Sequence, residues 1–355
     1  MTETHLLIKA TDMKNWKLIE RVPALWIGIG ISSSLIAVLL VTETALGRWT
    51  ALLPEGDFNA LTGVSTHFLR DIRLAIVLCL VIGYIPAALL HVLRNARRTV
   101  LVLQSALDCT VEECQTLAAS FKLSARGLVI NGLIGFALAF AAPYMVPPVQ
   151  PEPWNPMEWS PEVAWHRILL PMILVWQSWL VYAVVIVSIG MSRVAKKLRH
   201  IDLLNLTPLA PFTHLGLTNA LLLIGLLSIW SLMMLETGFG QIMILIGGIT
   251  LVVTMLALLA PVGGVHKRIR QSKDAEINWV NREISKQLLA LQTPDAGRRS
   301  GDMADHVAYL SLVERAPEWP FTTSTYTRLF LYLLIPVVFW GIGIVAEEIV
   351  QRALS

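Results

Sequence analysis

Four residues in one short stretch are the first candidates for chemistry. In PEPWNPMEWSPEVAWHR, Pro151 to Arg167, Trp154 and Trp159 stand beside Glu152 and Glu158. Indole faces attract cations and stack on rings, and a neighbouring carboxylate favours a cationic guest. One reading is therefore a ligand site built from those four residues. The other is a cap over the outer mouth of a helix bundle, with Trp165 as an interfacial anchor. Pro151, Pro153, Pro156 and Pro161 stiffen the stretch in either case, since each fixes its own φ and restricts the residue before it. A second cluster, Pro336, Trp340, Gly341 and Gly343, lies in the last apolar run. A proline followed by glycines can bend a membrane helix or open a cavity beside it, so these are candidates for lining a pore.

Signatures of enzymatic chemistry do not occur. The sequence contains no G-x-x-x-x-G-K-[ST] loop, no H-E-x-x-H and no G-x-S-x-G. Its eight histidines include no i,i+4 pair. Cys109 and Cys114, in CTVEEC, lack a second cysteine pair, so they read as reduced thiols rather than zinc ligands. With Cys79 inside an apolar run, the three cysteines make no disulfide framework. Thr110 and Glu113 form an S/T-x-x-E capping box, which predicts a helix start at Thr110. TVEECQTLAASFKLSARG mimics the first part of a helix-turn-helix, but the would-be recognition helix is apolar enough to be a membrane span. No nucleic-acid partner is expected, and neither are an enzymatic activity, a metal or another cofactor.

The elements that position these residues follow from composition. Of 355 residues, 55% are hydrophobic and only 15% charged, against about a quarter charged in soluble domains. Mean hydropathy is +0.62. Apolar runs of about 20 residues, the length of a bilayer-crossing helix, occur at Pro23–Thr42, Leu74–Leu93, Gly127–Val146, Ile168–Met191, Leu215–Leu235, Ile242–Val262 and Leu329–Val350. Lipid offers the backbone no hydrogen-bond partner, so each run must be helical. The expectation is an all-α membrane protein, a seven-transmembrane helix bundle. Its first run is too long and too acidically flanked for a cleaved signal.

Lysine and arginine set the orientation. With the N-terminus inside, the inner segments 1–22, 94–126, 192–214 and 263–328 hold 23 of the 28 basic residues. The bundle is therefore expected to run with its N-terminus cytoplasmic and its C-terminus extracytoplasmic, in the cell inner membrane. Arg70 and Arg73 run against this rule, and THFLRDIR is expected as a short interfacial helix reaching lipid headgroups. Residues 1-262 form the six-span part, 263-328 a cytoplasmic helical hairpin, and 329-355 the seventh span and a short outer tail. The spans hold almost no charge. Glu43 and Glu236 fall at outer ends, and the mild polar groups (Ser32, Ser34, Asn131, Gln177, Thr218, Asn219, Ser228, Ser231, Thr250, Thr254) read as helix–helix hydrogen bonding. Gly28 with Ser32, Gly30 with Ser34, and Gly132, Gly135 and Ala139 have the spacing of close helix packing.

The hairpin shows the clearest periodicity. Ile277, Val280, Ile284, Leu288 and Leu291 recur at helical spacing, QTPDAGRRSGD breaks the pattern, and Met303, Val307, Leu310 and Val313 resume it. Two antiparallel helices are expected, the first continuing the sixth span and the second leading toward the seventh. Trp319, Phe321 and Tyr326 are placed at the interface as anchors. HIDLLNLTPLAPFTHLG is too apolar to hang in water and is expected to pack against the hairpin or a neighbouring subunit. Homo-oligomerisation through the cytoplasmic helices follows as an expectation, with the lipid bilayer as the other partner.

HIDLLNLTPLAPFTHLGLTNALL and ERAPEWPFTTSTYTRLFLYLLIP resemble segments of uncharacterised bacterial inner-membrane proteins, a likeness that implies no activity. The plan, with seven spans, N-terminus in, C-terminus out and helical extensions between spans six and seven, is similar to the insect odorant and gustatory receptor channels. That similarity implies tetramers with ligands bound among the spans and a pore lined by the seventh. YLLIPVVFW does not supply that family's terminal signature, so the likeness is one of plan alone. The expected function is an oligomeric channel-like or ligand-responsive pore. A membrane sensor or scaffold signalling through the hairpin, and a transporter of an apolar or zwitterionic solute, are the alternatives.

Overall fold

The computed structural model describes residues 23–45, 58–145, 161–199, 201–232, 240–291 and 300–321, with 327, 328, 330–332, 334, 335 and 338 of the last apolar run. The described residues are helical apart from short turns and one isolated bridge between Leu107 and Leu198. The helices are α1 Ala24–Ala45, α2 Phe58–Val102, α3 Val111–Ala119, α4 Ala125–Met145, α5 Pro161–Val194, α6 Ala210–Ser231, α7 Gly240–Leu291 and α8 Ser300–Arg315.

Five helical stretches are long and apolar enough to cross a membrane: Ala24–Ala45, Leu74–Ala106, Arg167–Lys197, Thr207–Ser231 and Gly247–Leu289. They overlap five of the seven expected runs. The expected third run lies in α4, whose apolar part, Ala125–Phe140, is shorter. Most of the seventh lies outside the described residues. The chain is a multi-pass membrane protein on these grounds.

Two helices far outrun their apolar cores. α2 has 45 residues and α7 has 52, so α7 extends about 78 Å at 1.5 Å per residue. The expected short helix at THFLRDIR is instead part of α2. Thr66–Arg73 contains neither glycine nor proline, so nothing interrupts the backbone ladder there. Pro86, Pro171 and Pro261 all sit inside helices, where packing against neighbours offsets the lost hydrogen bond.

α2 and α5 form the centre. α1 leans on α2 and α4 on α5, while α6 and α7 pack together and against the central pair. Between them lie fully buried aliphatic side chains, among them Leu78, Ile82, Ile173, Leu180, Leu215 and Leu223. Outward, α4 shows Leu133 at 63% exposure and Val129 at 61%, and α7 shows Val252 at 60%. Apolar stripes of that extent are unstable in water and match a lipid surface.

Several crossings depend on glycine, two of them at the faces expected from the sequence. A Cβ on Gly83 would collide with Ser32 Oγ, and one on Gly28 would stand 2.9 Å from the Gly83 carbonyl oxygen. Ser32 seals that crossing by donating to the Cys79 carbonyl at 3.1 Å. Between α4 and α5, a Cβ on Gly135 would strike the Leu174 carbonyl and Ser178 Oγ. The expected small-residue faces are thus present at Gly28/Ser32 and at Gly132, Gly135 and Ala139. A Cβ on Gly30 would meet nothing within 4 Å and Ser34 bonds its own helix at Gly30, so among the described residues that pair forms no interface.

Candidate functional site

The eight residues named first as candidates, Glu152, Trp154, Glu158 and Trp159 with Pro336, Trp340, Gly341 and Gly343, all lie outside the described residues. Polar structure among the described residues is concentrated elsewhere, at the end of the bundle where the basic side chains gather.

That end begins where α2 stops. A 3-10 turn at Leu103–Ala106 leads to Leu107, which pairs antiparallel with Leu198 just beyond α5. The Asp108 amide donates to the Lys197 carbonyl at 2.8 Å, and the Arg199 amide to the Ala106 carbonyl at 3.1 Å. Arg199 and Asp108 add an exposed ion pair at 3.5 Å, of little energetic weight in water. Arg268 of α7 donates to the Leu198 carbonyl at 2.8 Å, and Arg97 of α2 to the Phe121 carbonyl at 3.3 Å. Each guanidinium thereby satisfies a carbonyl that no helix can satisfy where the chain turns. The apolar stretch after Arg199 packs within this same chain: Ile201, Leu203, Leu209 and Phe212 are buried.

Next to this knot, the capping box forms as its spacing predicts. The Thr110 amide donates to Glu113 Oε2 at 2.9 Å, and the Glu113 amide to Thr110 Oγ1 at 3.3 Å. The expectation of two reduced thiols is corrected here, because Cys109 and Cys114 are joined as a disulfide with Cα atoms 5.9 Å apart. The physical reason lies in the cap. Thr110 is extended and starts the helix, folding the chain so that the residue before the cap meets the end of the first turn. The resulting separation is within the range a disulfide requires. Cys79 is the free, buried cysteine.

The far side of this end is held by α7 and α8. Lys273 of α7 donates to the Glu314 and Ala316 carbonyls at 2.8 and 3.1 Å, with the Glu318 carboxylate 3.8 Å away. It closes the C-terminus of α8, where unpaired carbonyls and the helix dipole both favour a cation. Tyr309 donates to Glu276 at 2.9 Å. Burial, reinforced by that hydrogen bond and the Glu276 charge, raises the Tyr309 phenol above its ordinary pKa. His266 Nδ1 lies 2.9 Å from the Glu318 carbonyl, and its ring stacks on Trp319 at 4.1 Å, which in turn stacks on Phe321. Trp319 therefore holds His266 directly and Phe321 backs the Trp319 ring; Tyr326 is outside the described residues. In the hairpin stripe, Val280 and Val313 are fully buried, whereas Leu288 and Val307 are about half exposed.

Inside the bundle, the mild polar groups behave differently from expectation. Most bond a carbonyl one turn back in their own helix: Asn131 to Gly127, Thr218 to His214, Ser228 to Ile224 and Thr254 to Thr250. Across helices, Ser32 reaches Cys79 and Trp230 donates to Gln177 at 3.2 Å. Asn219 is fully buried with no partner at either amide atom, and Glu43, expected at an outer end, is only 1% exposed. The arginine and lysine clamps, the disulfide and these buried groups were not read from the sequence. The only available signal was Arg97, Arg268 and Lys273 lying close to turns. No family model, curated protein or solved structure matches this chain.

Proposed function

We propose that the chain is a membrane sensor or scaffold, with its basic end in the cytoplasm, that relays events in the bilayer to a cytosolic partner. One observation carries this reading. α7 is a single helix that holds an apolar membrane stretch and then, without a break, Arg268, Lys273 and Glu276, which fasten the basic end. A displacement of the span moves those contacts with it, since a helix transmits axial and rotational movement over its length. The pore reading depends on Pro336, Trp340, Gly341 and Gly343, whereas the coupling reading rests on contacts among described residues. Trp279, Leu289 and Leu312 stand exposed beyond the apolar stretch, and they support a second copy of the chain as one partner of this end.

Photocrosslinkers at Asn281, Ser311 and, for comparison, Val252 test the reading in living cells. A discrete cytosolic adduct at the first two positions, absent at Val252 and abolished by Lys273→Met, is the expected result. Adducts to lipid alone at all three positions would sink the relay. Ligand- or voltage-dependent current in planar bilayers would move the assignment to the pore.

A further inference from the structure

We infer that Cys109 and Cys114 are a reversible thiol–disulfide site, exchanging with a soluble low-molecular-weight thiol of the cytosol. The lysine and arginine distribution places this end of the bundle on the reducing side, where permanent disulfides are rare and those that form are transient or sensing. The structure nevertheless brings the two cysteines together and joins them. A pair that closes in a reducing compartment is set by the ambient thiol balance.

The geometry assigns different roles to the two sulfurs. Cys114 is fully buried, whereas Cys109 is partly exposed and lines an open depression with Gln104, Ser105 and Thr110. An incoming thiolate RS⁻ therefore attacks Sγ of Cys109. The new bond is Cys109 S–SR, the Cys109–Cys114 bond breaks, and its electron pair leaves as the Cys114 thiolate. A second RS⁻ attacks the R-bearing sulfur, releasing RSSR and the Cys109 thiolate, and two protons complete the dithiol. Oxidation is the reverse, with RSSR as oxidant. The leaving thiolate appears in the first turn of α3, where the helix dipole favours negative charge. Glu112 and Glu113 oppose it, although Glu113 is already directed to the Thr110 amide.

What the site reports is set by its neighbours. Asp108, adjacent to Cys109, is bonded to Lys197, and Leu198 next to that is held by Arg268 of α7. Opening the disulfide frees the chain between Leu107 and the Thr110 cap and loosens the pairing that Arg268 holds. This consequence rests on the relay reading above; the exchange itself rests only on the cytoplasmic placement of the basic end in that reading.

Acid-quenched cells producing the full-length protein, denatured and treated with a maleimide–polyethylene glycol, count free thiols as mass steps. The reduced chain gives three adducts and the oxidised chain one, at Cys79. Diamide is expected to take the protein from three adducts to one, and dithiothreitol to restore three. Cys114→Ser is expected to hold two adducts throughout, apart from trapped mixed disulfide at Cys109. A wild-type pattern fixed at one adduct through both treatments identifies a permanent staple, and one fixed at three identifies a pair that never closes. Either overturns the site. Hydrogen exchange at residues 195–199 is expected to quicken in the reduced form. Cycling thiols with unchanged exchange there would overturn the relay alone.

Discussion

The crossing of α1 and α2 turns on single atoms. Gly83→Leu puts a Cβ into Ser32 Oγ and the Gly28 carbonyl, and neither can retreat, because both belong to packed backbone or to a hydroxyl already bonded to Cys79. Overpacking of this kind costs about 1–3 kcal/mol, so a clear drop in thermal stability in detergent micelles is expected. Gly30→Leu supplies the control: a Cβ there meets nothing within 4 Å, and no comparable loss is expected. If the two variants melt alike, the crossing is elsewhere. Tyr309 gives a titration prediction. Its raised pKa means that the folded state holds the phenolic proton more tightly than the unfolded chain. The contribution is therefore fully present below the ordinary tyrosine value and is lost as pH rises through the folded one. Tyr309→Phe should remove one late-titrating component of the tyrosinate absorbance at high pH, and an unchanged alkaline limb would contradict the assignment.

Short helices depend on their ends more than long ones do. α3 has nine residues, so its cap is a large part of its stability; Thr110→Ala should cost about 1 kcal/mol, read as faster amide exchange through Cys114. α8 depends in the same way on Lys273, whose side chain is only 12% exposed while it bonds two carbonyls. Lys273→Met keeps the bulk and removes the donors. With hydrogen bonds to charged groups worth about 1.5–3 kcal/mol, fraying over residues 310–316 is expected, and unchanged exchange there would refute the clamp. These elements also show what a sequence can reveal. The capping box was legible because Thr110 and Glu113 satisfy each other within one turn, and the Gly28/Ser32 face because close packing requires small residues at that spacing. Lys273, Arg97 and Arg268 were not legible as clamps, since their partners are backbone carbonyls 24 to 70 residues away. A carbonyl has no signature in sequence. The length of α7 was legible: the first hairpin helix is expected to continue the sixth span, and Gly240–Leu291 joins the two in one helix. The disulfide was missed because the side of the membrane argued for free thiols, while the fold brings the two cysteines together. The candidate tryptophans and the last-run glycines fall outside the described residues, so the site resolved here comes from contacts, not from residue types.

The sidedness of the whole bundle follows from register. Ser124 meets Tyr182, the Leu128 carbonyl meets Trp179, and Gly135 meets Leu174. As one index rises the other falls, so α4 runs antiparallel to α5 over most of its apolar length. That register predicts that α4, whose apolar part is shorter than the five stretches long enough to cross, crosses in the direction opposite to α5. The same reasoning holds for α1 against α2, where Gly28 faces Gly83 and Ser32 faces Cys79. With α4 counted as a crossing, six are predicted between Pro23 and the end of α7, an even number, which groups residues 103–124, 195–199, 201–209, 266–291 and 300–321 on one side. The hydrogen bonds from Arg97, Arg268 and Thr213 to Phe121, Leu198 and Pro320 require the same grouping. Single cysteines at Ser105, Asn281 and Ser311, in a background of Cys79→Ala, Cys109→Ser and Cys114→Ser, should therefore all react with an impermeant maleimide in inverted vesicles and resist it in right-side-out ones. A cysteine at Ala45, exposed at the far end of α1, should show the opposite pattern. If Ser105 and Asn281 label from opposite faces, α4 does not cross and the relay from α7 to the cysteine pair has no path.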